Sequence, residues 1–183
     1  MNDWKIYQLN GIVDVESMKE EPDMSMVGKM IVYDGNEIEK IDEEVGSVDS
    51  LTRYRYPKYR DKVYEIKSVI ESIIGEKVYP TYYFDRFYFS GTHLRKHVDR
   101  CACEVSVSMN ISNTTGVDWP ISFEYEGKQY DFTGGPGDGV LYKGIEIPHW
   151  REELQCSSGY FHQVFYHFVR ADGYYLEFAY DKI

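Results

Sequence analysis

Residues 104–111, Glu-Val-Ser-Val-Ser-Met-Asn-Ile, alternate polar and apolar side chains with a period of two. Only an extended strand separates such a pattern onto two faces, because successive side chains project to opposite sides. The segment therefore predicts a half-buried strand and a fold organised around a sheet. It has company. After Gly75 the apolar runs are short, rich in Tyr, Phe, Val and Ile, and bounded by turn residues. Strands are expected over 81–89, 121–125, 129–132, 140–142, 160–169 and 174–180. Glu126-Gly127-Lys128 carries a hairpin signal, and 134–139 is a tight Gly-rich turn.

One amphipathic helix precedes this run. Val63, Ile66, Ile70 and Ile73 recur at helical spacing, joined by Val69 and Ile74. Pro57 suits a first turn and Gly75 a stop, so the helix is expected over 57–74, its apolar stripe packed on a sheet. Upstream, residues 4–9 and 29–33 read as short strands. Asp34-Gly35-Asn36 reads as a turn, and the charged stretch 36–44 as a solvated helix or loop. Short, regularly spaced strands after one helix predict a mainly β barrel or jelly roll. With 183 residues, no repeat and no linker, residues 1–183 are expected to form one domain.

The formal net charge of −11 sets the partners expected. An acidic surface repels phosphate backbones and anionic lipid, so neither nucleic acid nor membrane is expected to bind. No secretion signal is evident, and Cys101, Cys103 and Cys156 are odd in number, which suits reduced thiols in a cytoplasmic protein. Cys101-Ala102-Cys103 lacks the two-to-four spacing and the second pair of a structural zinc site; small apolar thiols are the simpler reading.

The chemistry sits in His97-Val98-Asp99 and, fifty residues beyond the aspartate, His149. Residues two apart on a strand share a side, so His97 and Asp99 can face one ion, and a rolled sheet can bring His149 to it. Neutral imidazole suits Fe(II), Ni(II), Cu(II) or Zn(II), and two imidazoles with one carboxylate and positions left open can hold a redox-active ferrous ion. Alone the spacing is weak, because a surface His-Asp pair arises by chance. His93 and His97 stand four apart, but Gly91 and Thr92 make that segment a poor helix. His162 and His167 stand five apart and are expected on opposite sides of their strand.

The neighbouring residues add a resemblance. Tyr88-x-x-Gly91-x-x-Leu94-x-x-His97-x-Asp99 resembles a strand-turn-strand of the prolyl 4-hydroxylase-like branch of the 2-oxoglutarate and Fe(II)-dependent dioxygenases. Gly137-Asp138 before Val140-Leu141-Tyr142, then His149, is similar to the same family's turn, strand and third ligand. The resemblance covers residues 57–180. It implies a double-stranded β-helix, a jelly roll with one or more helices outside the larger sheet. It also implies Fe(II) held by His97, Asp99 and His149, with 2-oxoglutarate as cosubstrate and O2 as oxidant. The activity implied is hydroxylation of a C–H bond coupled to decarboxylation of 2-oxoglutarate to succinate. Tyr88 matches a tyrosine lining the cosubstrate pocket, a core aromatic being the equal alternative.

The sequence departs from the family in one place. The family sets Lys or Arg about ten residues after the third ligand, to pair with the distal carboxylate of 2-oxoglutarate, whereas residues 155–163 hold neither. A buried carboxylate without a cation is costly. Arg151, two residues after His149, is the nearest candidate, with Gln163 and His167 as possible donors. Lys143, Arg95, Lys96, Arg100 and Arg170 lie further off and read as solvated charges. Three functions follow: a 2-oxoglutarate-dependent hydroxylase, a metal-binding jelly roll that has lost this catalysis, or an interaction domain. The substrate expected is a peptidyl prolyl group or a small molecule, and the oligomeric state is open.

Overall fold

The computed structural model describes residues 4–43 and 49–183. Two sheets face each other. The larger holds β1 (Ile6–Leu9), β2 (Lys29–Asp34), β3 (Glu37–Glu43), β4 (Ser50–Tyr54), β5 (Val78–Tyr88), β7 (Val105–Asn113), β10 (Gly139–Tyr142) and β12 (Phe161–Arg170). Its strand order is β1-β10-β7-β12-β5-β4-β2-β3. The smaller holds β6 (Leu94–His97), β8 (Ile121–Tyr125), β9 (Lys128–Phe132) and β11 (His149–Arg151), in the order β6-β11-β8-β9. Every pairing is antiparallel except β2 with β4. This is the expected mainly β jelly roll. Among the described residues no helix is long and apolar enough to cross a membrane.

The helix α1 (Lys62–Ile74) lies outside the larger sheet. Val63, Ile66, Ile70 and Ile74 are buried along one stripe, against Val105, Val107, Met109 and Ile111 of β7 and Val164, Tyr166 and Phe168 of β12. Full burial of side chains of this kind stabilises by about 1.5–3 kcal/mol each before entropy is counted. Gly75 ends the helix in the left-handed region at φ 71°, its N–H bonded to Glu71 O, a conformation that costs glycine least. The helix starts later than its periodicity predicts. Pro57–Tyr59 instead forms a separate 3-10 turn, which turns Tyr59 inward to bond Met18 O.

Three other expectations are corrected. The stretch expected as solvated helix or loop is the edge strand β3, which Asp34-Gly35-Asn36 folds back onto β2. Its charges mark an edge that faces solvent, a known guard against edge pairing; residue 44 lies outside the described residues. Residues 174–180 form no strand but a 3-10 turn at Leu176–Phe178. Both neighbours of β12 are already filled, by β5 and β7, so this segment crosses the end of β5 with Tyr180 N bonded to Pro80 O. Strand β7 is buried on both faces rather than one. Its apolar side meets the helix, and Ser106, Ser108 and Asn110 face into the roll. That inward polar side builds the site.

Candidate metal centre

His97 ends β6 and His149 begins β11, and the two are register partners. Each imidazole points its Nδ1 at the carbonyl two residues earlier: His97 to Arg95 O at 2.8 Å, His149 to Ile147 O at 2.9 Å. A carbonyl only accepts, so each Nδ1 carries a proton and each Nε2 is the nitrogen left to bind a metal. Both Nε2 atoms lie 3.5 Å from Asp99 Oδ1. The ligand atoms of the three residues fall within 4.8 Å of one another.

Asp99 is not on a strand, as the two-residue spacing suggested. It lies just past β6, where its N–H bonds Gly144 O at 2.9 Å. Its second oxygen accepts from Ser106 Oγ at 3.1 Å. Gly144 is required by closeness: a Cβ there would stand 2.7 Å from Ser106 Oγ and nearer still to Asp99 Oδ2 and Cys103 O. Burial works against ionisation of Asp99, but the imidazoles of His149 and His97 outweigh it and hold the carboxyl well below its usual range. Asp99 in turn raises the pKa of His97 against the effect of burial.

The three residues open into a cavity of about 130 Å³ between the sheets. Arg151 lines it, 4% exposed, reaching in from the strand that carries His149. Its guanidinium bonds Trp119 O and lies 4.5 Å from the centre of the Trp119 ring and 5.5 Å from that of Phe161. No carboxylate of the described residues pairs with it, and burial lowers its pKa to about 10. Such a cation is held at a cost unless an anion joins it.

Tyr88 lines the same cavity and packs edge-on against Trp119 at 5.0 Å. His167 lines it too. Burial lowers its pKa to about 4; Nδ1 meets Ser106 Oγ at 2.9 Å and buried Nε2 has no partner. Gln163 does not line the cavity: it sits four residues along β12, its amide N bonded to Asn110 Oδ1. His162 faces the other way, toward Asp85 at 2.8 Å. Of the more distant cations, Lys96 pairs with Glu124, Lys143 with Glu146 and Arg170 with Glu104.

Several lining residues gave no sequence signal, namely Arg86, Tyr82, Tyr54 and Phe84, together with Ser106 behind Asp99. The strands of Arg86, Tyr82, Phe84 and Ser106 were legible, that of Tyr54 was not, and neither was which strands become neighbours. A second cluster, Asp99 with Cys103 and His167, also falls within 4.8 Å. Burial pushes the Cys103 thiol up to about 12, and Tyr82 Oη lies 3.0 Å from it, so it is a neutral thiol here. Cys101 is exposed and all three cysteines are free.

The architecture is found in solved structures. HygX from Streptomyces hygroscopicus, with nickel, 2-oxoglutarate and hygromycin B bound, superposes with a TM-score of 0.66 at 9% identity, over 92% of this chain and 84% of that one. A prolyl-4-hydroxylase of Pseudomonas putida gives 0.59 at 11% identity, over 91% and 92%. An oxidoreductase of the 2OG-Fe(II) oxygenase family from Burkholderia pseudomallei gives 0.53 at 10%, over 79% and 68%. The fold is that of the 2OG-Fe(II) oxygenases. No family profile matches the sequence, and no curated protein matches it. At these identities the likeness is one of fold, and the chemistry has to be argued from the residues.

Proposed function

We propose that the chain is a 2-oxoglutarate-dependent Fe(II) dioxygenase that hydroxylates a C–H bond of a small molecule. The observation that carries this reading is Arg151: a buried cation that no carboxylate of the described residues pairs with, in the same cavity as His97, Asp99 and His149. The donor set fits a ferrous ion, with two imidazoles whose Nε2 atoms are turned to the site by backbone carbonyls and one ionised carboxylate. Bound there with 2-oxoglutarate and O2, the metal would supply the oxidising power, with succinate and CO2 as the companion products.

The chain's own residues do the rest. Ser106 holds one oxygen of Asp99, leaving the other for the metal. Arg151 meets a carboxylate with two parallel N–H bonds, and Trp119 and Phe161 fix its plane. Tyr88 and Phe165 close the cavity around the cosubstrate. His167, neutral at physiological pH, keeps a second positive charge away from the metal. Gln163 has no part in this arrangement.

The test is a titration of 2-oxoglutarate into the Ni(II)-loaded protein with oxygen excluded. Arg151→Ala should weaken binding by about 1.5–3 kcal/mol, the range for a hydrogen bond to a charged group, with metal content unchanged. Unchanged affinity removes Arg151 from the site. No binding to the wild type favours a metal-binding jelly roll without this catalysis.

A further inference from the structure

Tyr82 stands where two cavities meet. One is the metal cavity; the other is a cleft of about 580 Å³, and Tyr54 and Tyr82 line both. A volume of this order suits a metabolite-sized molecule. Tyr54 and Tyr82 form the shared wall, and with Phe84 of the metal cavity their rings stack nearly parallel. The Tyr54 and Tyr82 rings lie 6.2 Å apart at 24°, Tyr54 and Phe84 5.0 Å apart at 25°, and Tyr82 and Phe84 6.1 Å apart at 11°.

The charges of the cleft run against those of the chain. The whole carries −11, yet Arg55, Arg100 and Lys182 line this cleft with Glu39 and Asp181. Arg55 and Glu39 neutralise each other as an ion pair. Arg100 follows the metal-site aspartate; its guanidinium lies 4.5 Å over the Tyr82 ring, with Nε 3.4 Å from the phenol oxygen. Lys182 is held beside Tyr82 by backbone alone, its N–H bonded to Thr81 O at 2.9 Å in a parallel bridge. Among the described residues neither cation has an ion-pair partner. Arg100, over the Tyr82 ring, and Lys182, whose backbone pairs with Tyr82, thus line one cleft beside the metal cavity, with Asp181 as the carboxylate near them.

We propose that this cleft receives the substrate, and that the substrate is a small molecule bearing an oxyanion, carboxylate or phosphate, joined to a planar ring. Arg100 and Lys182 hold the oxyanion, and Tyr54 and Tyr82 take the planar part, which directs it toward the metal. The inference rests on the dioxygenase reading above and names its substrate class. Arg151, inside the metal cavity, remains for the cosubstrate, so the two anions have separate cations.

The experiment uses the full chain loaded with Ni(II), oxygen excluded. Its affinity for 2-oxoglutarate is measured first, and failure there ends the dioxygenase reading without touching the cleft. Then 3-phenylpropionate, phenyl phosphate and the neutral 3-phenylpropionamide are titrated by calorimetry, with and without 2-oxoglutarate. At least one anion should bind saturably and the amide at least about tenfold more weakly; which anion wins distinguishes carboxylate from phosphate. Arg100→Gln and Lys182→Gln should each weaken anion binding by roughly tenfold, the loss of a charge-assisted hydrogen bond, with 2-oxoglutarate affinity unchanged. Both side chains are exposed, so the variants should fold, which circular dichroism checks. Equal binding of anion and amide, no binding of any probe, or full affinity in both variants overturns the proposal. So does anion binding lost in Arg151→Ala instead, which would place the probe in the cosubstrate site.

Discussion

His97 and His149 face each other across the β6–β11 pair with ring centroids 4.3 Å apart, each imidazole tethered through Nδ1 to a carbonyl of its own strand. The tether is local and the pairing is not. Two short strands, each with its own Nδ1 contact, are brought together by sheet register, and their Nε2 atoms converge beside one carboxylate.

Removing that carboxylate should remove the metal. Asp99→Ala and His149→Ala are each expected to weaken Ni(II) or Co(II) binding by roughly a hundredfold or more, a ligand's share of a metal-binding free energy. Circular dichroism should stay as in the wild type, because neither residue belongs to an apolar core cluster. Stoichiometric metal in Asp99→Ala would take this residue out of the site.

Gly144 should behave like a ligand without being one. In Gly144→Ala the new methyl group would overlap the Asp99 carboxylate and the Cys103 carbonyl. Either Asp99 turns away or the turn after β10 shifts. Metal affinity is expected to fall about 10–100-fold, as for residues that orient metal ligands. Wild-type affinity in this variant, measured by competition with a chelator, would show that the turn yields freely.

Beside Tyr59 a buried charge network should carry stability. Asp85, 0% exposed, accepts from Arg53 Nε at 3.1 Å and Nη2 at 2.5 Å, and from His162 Nε2 at 2.8 Å. Arg53 also pairs with Glu20. Arg53→Met leaves Asp85 buried beside one neutral imidazole and should cost about 3–5 kcal/mol in urea unfolding. Asp85→Asn in the same chain should recover part of that loss. A loss under about 1 kcal/mol in Arg53→Met would mean that water reaches Asp85.

The same network fixes a pH dependence. Burial lowers the pKa of His162, with Asp85 opposing and Arg53 assisting. The unfolded chain therefore takes up the proton first, and stability falls as pH drops below the unfolded value of about 6.5, levelling off at the lower folded pKa. His162→Gln keeps a donor for Asp85 but cannot titrate. Its urea midpoint should change less between pH 7 and pH 5 than that of the wild type. Parallel pH profiles would assign the effect to other groups.

The sequence by itself determined most of the elements, though not β4, and the donor types. Alternation in residues 104–111 fixed β7, the Val63 to Ile74 stripe fixed the helix, and His97, Asp99 and His149 stood out by kind and spacing. It misread residues 36–43 and 174–180, because charge and tyrosine content report exposure and surface, whereas pairing depends on which sheet edges remain free. The tertiary structure alone decided the site's surroundings. Ser106, Gly144, Tyr82 and Arg100 approach Asp99 or the cavity beside it from β7, a turn, β5 and a loop. It also set Arg151 in the cavity with the metal residues and left Gln163 outside it. Local pattern is written in neighbouring residues. Convergence between strands far apart in sequence is set by register and packing, which no short window of the chain contains.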